Sequence, residues 1–235
     1  MPLEAILLDM DGVLVDVRGS YRRAIAETFG AFAGRPPAPE AIQAKKDAGG
    51  FNNDWVLTHA LLAEAGVEVP YEEVVSDFEA RYRGDGYTGL IREETPAIAT
   101  RTLRALAERA PLALVTGRVE ADAHWTLEHF GWAGLFTAVV GMETQGERGK
   151  PDPYGVHVAL RALGAAPKAA VLAGDTVDDV RAATASGAGG IGVVPPGHDA
   201  RAHAAVLLGA GATACVSRAD DLPLLLSAME GGGGE

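Results

Sequence analysis

The chain has 235 residues, 48% of them hydrophobic, and a formal net charge of −12. That supply of apolar residues excludes a disordered chain, and the acidic balance argues against a general binder of nucleic acid or of an anionic membrane surface. A single cysteine, Cys215, excludes an intramolecular disulfide. The first residues carry Glu4, Asp9 and Asp11 with no basic stretch, so no secretory leader is expected. With no run of about 18 apolar residues for a membrane span, the expectation is a soluble, cytoplasmic protein.

The first element is the apolar run Ala5-Ile6-Leu7-Leu8, which leads into Asp9-Met10-Asp11-Gly12. A short apolar run that stops in charge and glycine predicts a buried parallel strand. Ligands of open α/β sheets bind at the carboxyl ends of such strands. The pattern then turns helical. Ser20 is placed to cap a helix over 21–32, with Ala24, Ile25, Thr28, Phe29 and Phe32 on one face. The proline-rich residues 35–39 end it. A short helix over 40–46, a glycine- and asparagine-rich loop over 47–53, a helix over 54–64 and another from 70 or 71 to about 82 follow. Residues 17–90 thus read as a helical block without strands.

Helices and strands alternate beyond it. Helices are expected over 97–109, 120–130, from 152 or 153 to about 163, 178–186 and 222–229, and strands over 112–115, 138–140, 169–173, 190–194 and 214–216. Alternation of this kind predicts an α/β fold with a parallel sheet covered on both faces. Its core comprises residues 1–16 and 91–235, and the helical block 17–90 is inserted. The block leaves beside Asp9, where an insertion can act as a lid.

Four stretches carry chemistry. Asp9 and Asp11 follow a buried strand, and two carboxylates there need a cation, a donor or a proton. Thr116-Gly117-Arg118 also ends a strand, where a hydroxyl and backbone N–H groups can hold a phosphate oxygen; alone it reads better as a polar turn with a helix cap. Lys150, in Gly149-Lys150-Pro151, offers an ammonium in a chain short of cations. Gly174-Asp175-Thr176-Val177-Asp178-Asp179 places three carboxylates after a buried strand. Acids favour a helix N-terminus, which accounts for Asp178 and Asp179 better than for Asp175. Ligation by oxygen alone, with no nearby His or Cys, points to Mg2+.

In their order and spacing the four stretches resemble the motifs of the haloacid dehalogenase (HAD) superfamily: D-x-D-G, then T/S, then K-P, then G-D-x-x-x-D. The likeness covers the whole chain, because residues 17–90 sit where subfamily I members, the phosphoglycolate phosphatase-like hydrolases, carry a helical cap. The resemblance implies a Rossmann-like core and Mg2+-dependent hydrolysis of a small phosphorylated metabolite through an aspartyl-phosphate. It makes Asp9 the nucleophile and Asp11 the general acid and base. Thr116 binds a transferring oxygen and Lys150 balances charge. Asp9, the carbonyl of Asp11, and Asp175 hold the metal with Asp179, the adjacent Asp178 being the alternative. Gly117 and Arg118 are expected at the substrate.

Specificity is expected from the cap, where Lys46, Asn52 and Asn53 stand in the polar stretch 45–55; an ordinary loop with helix caps reads equally well there. A phosphomutase of the same family and a non-catalytic binding member are the competing readings. Three further signals carry no function. Gly187–Gly192 matches G-x-G-x-x-G but follows a helix and precedes a strand, the reverse of a dinucleotide site. Arg83-Gly84-Asp85 reads as a loop, and the six histidines are scattered.

Overall fold

The computed structural model of the protein describes residues 3–38, 40–51 and 53–231. In chain order, β1 (Ala5–Leu8) and the two-residue β2 (Val15–Asp16) precede α1 (Tyr21–Ala33), α2 (Ala41–Ala48), α3 (Asp54–Glu64) and α4 (Tyr71–Tyr82). Then come β3 (Thr95–Pro96), α5 (Thr100–Arg109), β4 (Leu112–Val115), α6 (Glu120–His129), β5 (Phe136–Val140), the single turn α7 (Met142–Gln145) and α8 (Tyr154–Leu163). The chain continues through β6 (Ala170–Gly174), α9 (Val177–Ser186), β7 (Gly189–Val193), α10 (Ala200–Gly209), β8 (Ala214–Val216) and α11 (Leu222–Gly231). Two compact units result. One holds the residues up to Val15 and those from Pro96 onward; the other is Asp16–Thr95.

The first unit is built on a six-stranded parallel sheet in the order β5-β4-β1-β6-β7-β8. Counted within the sheet alone, this is the 3-2-1-4-5-6 order of Rossmann-like folds. The central strand β1 is buried throughout because it has a neighbour on each edge and helices on each face. Its side chains alternate. Ala5 and Leu7 join Ala113, Val115, Ala170 and Leu172 in one apolar cluster with Val156, Ala159 and Leu160 of α8 and Ala182 and Ala183 of α9. Ile6 and Leu8 point to the opposite face and are equally buried.

The register places the reactive stretches. Leu8 stands opposite Leu114 of β4 and Ala173 of β6. The three central strands therefore end level, and Asp9, Thr116 and Asp175 emerge side by side. The chain builds β4 and β5 to one side of β1 and then returns to build β6, β7 and β8 on the other. The β1–β6 edge is thus the topological switch point, where open sheets leave a crevice for ligands.

The second unit is helical. Tyr21 of α1 packs on Phe78 and Tyr82 of α4, with ring centroids 5.7 and 4.0 Å apart. Ser20 precedes α1 but makes no side-chain cap. Its hydroxyl instead donates to the buried Glu94 at 3.0 Å, beside the Tyr82 hydroxyl at 3.1 Å, so an internal acceptor outcompetes the helix end. Leu90–Glu93 form a 3-10 turn with Ile91 fully buried, which carries this unit beyond residue 90 to Thr95.

The core differs from expectation in several places, among them the single turn α7 and the β2–β3 pair, where no element is expected. The helix expected from 97 begins at Thr100, because Thr95–Pro96 pair with β2 and the Ala97 N–H is taken by the carbonyl of Leu14. The strand expected over 138–140 begins at Phe136, since pairing with β4 continues past a register shift at Leu112/Ala113. Finally, α10 occupies a stretch for which the sequence pattern predicts no element. Asp199 caps it by accepting from the Ala202 N–H at 2.7 Å, and Leu207 is its buried anchor.

Candidate active site

Asp9 prolongs β1, its N–H donating to the Ala173 carbonyl at 2.9 Å. The residue is 3% exposed. The turn that follows depends on Gly12, whose φ is +75°. A Cβ built there would lie 2.3 Å from Oδ2 of Asp175. The glycine therefore serves backbone geometry and lets the first motif approach the fourth. Gly174 has the same kind of role at the end of β6. A Cβ there would lie 2.2 Å from the Cβ of Asp179, so the absence of a side chain admits the first turn of α9.

Asp179 is fixed twice. Thr176 caps α9 in a capping box: its hydroxyl accepts from the Asp179 N–H at 3.3 Å, and its own N–H and hydroxyl donate to Oδ2 of Asp179 at 3.0 and 2.5 Å. Oδ1 of Asp179 accepts from Nζ of Lys150 at 2.5 Å. That same ammonium donates to Oδ1 of Asp9 at 2.7 Å and to the Val115 carbonyl at 3.0 Å. Lys150 has no side-chain exposure, and all three of its N–H donors are thereby matched.

Burial opposes the charge on Lys150, but the carboxylates of Asp179 and Asp9 outweigh it and hold the ammonium above its ordinary range. Asp9 moves the other way. Burial, with Asp179 and Asp11 adding to it, pushes its carboxyl up to about 7 against the pull of Lys150. Without a further cation, the site thus holds more negative charge than Lys150 neutralises.

Carboxylate oxygens of Asp9, Asp175 and Asp179 lie within 4.8 Å of one another. This donor set is all oxygen, which suits a hard divalent cation. Lys150 pairs with Asp9 and Asp179 and Arg118 with Asp11, and the trio of Asp9, Asp175 and Asp179 offers oxygen donors that such an ion would neutralise. Asp178 is buried on the first turn of α9, where Arg181 approaches it at 3.9 Å, and it stands outside the convergent trio.

Thr116 is fully buried at the end of β4, its N–H bound to the Val140 carbonyl at 3.0 Å. Gly117 is half-buried beside it. Arg118 turns inward: Nε and Nη2 both donate to Oδ1 of Asp11, at 2.8 and 2.6 Å, and Nη1 donates to the Thr126 hydroxyl at 2.9 Å. Asp9, Asp11, Thr116, Arg118, Lys150, Asp175 and Asp179 are therefore brought into one constellation.

The residues of the 45–55 stretch lie in the helical unit, where their side chains have local partners. Nζ of Lys46 pairs with Asp54 at 2.6 Å, with side chains 17% and 8% exposed. Asn53 caps α3, its Oδ1 accepting from the N–H groups of Trp55 and Val56 at 2.9 and 3.3 Å. Asn52 lies outside the described residues.

Two supports stand outside the expected set of site residues. Gln145, buried on α7, donates through Nε2 to the Thr116 carbonyl at 2.6 Å and to that of Gly141 at 3.0 Å. His203 on α10 donates through Nε2 to the Asp175 carbonyl at 2.7 Å. A carbonyl only accepts, which fixes that proton on Nε2. No sequence signal marks Gln145. For His203, the cap at Asp199 and the helix after it are the available cue.

A family model described as haloacid dehalogenase-like hydrolase matches residues 3–187. Among relatives, a protein of Phytophthora nicotianae named imidazoleglycerol-phosphate dehydratase is 40% identical over 202 residues, 83% of this chain. The match spans only 44% of that protein's length. A phosphoglycolate phosphatase of Aquifex aeolicus is 28% identical over 193 residues, 79% of this chain and 82% of its own. Among solved structures, a HAD family hydrolase of Deinococcus radiodurans R1 with bound phosphate and sodium is 26% identical and covers 97% of each chain at a TM-score of 0.73. The match over residues 3–187 carries all four motifs, and the chain belongs to the haloacid dehalogenase-like hydrolases.

Proposed function

We propose that the protein is a Mg2+-dependent phosphatase of a small phosphorylated metabolite. The observation that carries this reading is the convergence of Asp9, Asp175 and Asp179 around a buried Lys150 at the level ends of β1, β4 and β6. Asp9 attacks phosphorus, the bond to the leaving oxygen breaks, and an aspartyl-phosphate forms. Asp11 gives its proton to the departing oxygen. It then takes one from the water that attacks the aspartyl-phosphate, and inorganic phosphate leaves. Lys150 balances the charge of Asp9 and of the phosphoryl oxygens, and Thr116 with the Gly117 N–H holds one of those oxygens.

Asp9, the carbonyl of Asp11, Asp175 and Asp179 would hold the Mg2+. Once bound, it supplies positive charge that neutralises the transferring group.

The relatives' names support a small phosphorylated metabolite as the substrate class. The Phytophthora relative is named for a phosphate ester that bears an imidazole ring, and the Aquifex relative for phosphoglycolate. Phosphate release should be scored with Mg2+ and no bisphosphate activator. The panel holds phosphoglycolate, phosphorylated sugars and imidazole-bearing phosphomonoesters. At least one of them should yield free phosphate and the free alcohol in equal amounts. No release from any, or transfer of the phosphoryl group to a second position of the same compound, would overturn the reading, the latter in favour of a phosphomutase.

A further inference from the structure

Asp11 has a partner that its proposed role leaves unexplained. The Arg118 side chain is 1% exposed, whereas that of Asp11 is 30% exposed. Burying a guanidinium is costly, and pairing it with a partly solvated carboxylate recovers little of that cost. The contact with Asp11 itself therefore contributes little to stability.

The guanidinium is also held rigidly. Nη1 is anchored on Thr126 of α6. The Arg118 N–H donates to the Thr116 hydroxyl at 3.2 Å, and its carbonyl accepts from the Met142 N–H at 2.8 Å. Both contacts to Asp11 fall on Oδ1. Oδ2 of Asp11 has no hydrogen bond to any of the described residues.

We infer that Arg118 is a positioning residue for Asp11, clamping Oδ1 so that Oδ2 is presented to the leaving oxygen. The inference rests on the reading of Asp11 as acid and base. The proton on Oδ2 passes to the leaving oxygen as its bond to phosphorus breaks. The resulting carboxylate stays clamped until Oδ2 takes a proton from the attacking water. Nε and one N–H of each terminal nitrogen of Arg118 are turned to Asp11 and Thr126, which favours a positioning role over a substrate contact.

The test uses the full chain with Mg2+ and two probes that differ in leaving group, para-nitrophenyl phosphate and phenyl phosphate. A poor leaving group depends more on protonation. Asp11→Asn and Arg118→Met should each lower kcat/KM for phenyl phosphate at least about tenfold more than for the nitrophenyl ester. The double variant should shift that ratio no further than Asp11→Asn alone, because both changes act through one carboxyl. If Arg118→Met does not fold, Thr126→Val decides. It removes only the anchor and should shift the ratio in the same direction by a smaller factor.

An unchanged ratio in the Arg118 or Thr126 variant, with a shifted ratio in Asp11→Asn, overturns the inference and leaves Asp11 as the acid. An unchanged ratio in Asp11→Asn overturns both.

Discussion

Gly12 turns the chain at φ +75° with Oδ2 of Asp175 in the space a methyl would need. An alanine there meets two penalties: the left-handed backbone costs about 1–2 kcal/mol, and Asp175 must move. Gly12→Ala is therefore expected to weaken Mg2+ binding by at least about tenfold, the scale of lost support around a metal site. Isothermal titration of the purified protein reads this directly, and an affinity equal to wild type contradicts the role given to Gly12. Asp9 and Asp175 could be singled out in the sequence because acids that follow buried strands are costly unless something compensates them, whereas Lys150, in a loop, stands out only through the order of the four motifs. The partner of Arg118 could not be singled out. An arginine after Thr116-Gly117 fits a substrate contact as well as an internal clamp, and only the positions of Asp11 and Thr126 separate the two.

Among the elements, the caps carry the clearest consequences. Asn53 spends its side-chain oxygen on the first turn of α3. Asn53→Ala should cost about 1 kcal/mol of stability, with Asn53→Asp restoring most of it in a denaturant titration. No loss in the alanine variant would reopen a ligand role for this side chain.

The start of α5 is held from a distance. Asp220 accepts from the Ala99 N–H at 3.0 Å and from the Thr102 hydroxyl at 2.5 Å. Burial works against its charge, but these bonds, with Arg101 and Arg218 nearby, outweigh it and hold the carboxyl below the usual range. The folded state thus favours the ionised form more than the unfolded state does. The stabilisation is full above the ordinary Asp range and is lost as pH falls through the lowered folded value. Asp220→Ala should cost about 1 kcal/mol at neutral pH, and the gap from wild type in thermal melts should close in acid. A gap that is constant with pH contradicts this. No local pattern announces such a cap, since Asp220 lies 121 residues from Ala99. Caps supplied by the adjacent sequence, such as Thr176 with Asp179 and Asp199, at least lie within a few residues of the helices they start.

At the scale of the whole molecule, the chemistry is a consequence of topology. Because β1 is central and the chain returns past it to build β6, stretches far apart in sequence emerge beside each other at the switch point, as Asp9 and Asp175 do. The alternation of apolar runs makes the parallel sheet legible, while its strand order becomes plain only from the pairing. Among the described residues no helix is long and apolar enough to cross a membrane.

The central claim is that Asp9 and a divalent cation together drive phosphoryl transfer. The most direct measurement is the rate of phosphate release from para-nitrophenyl phosphate by the full chain. It is taken after EDTA treatment and again after Mg2+ is restored, for wild type and for Asp9→Asn. The predicted result is no wild-type turnover after EDTA, recovery with Mg2+, and, with Mg2+ present, a loss of more than about 10³-fold in Asp9→Asn. Turnover that survives EDTA, or an Asp9→Asn protein as active as wild type, would contradict it.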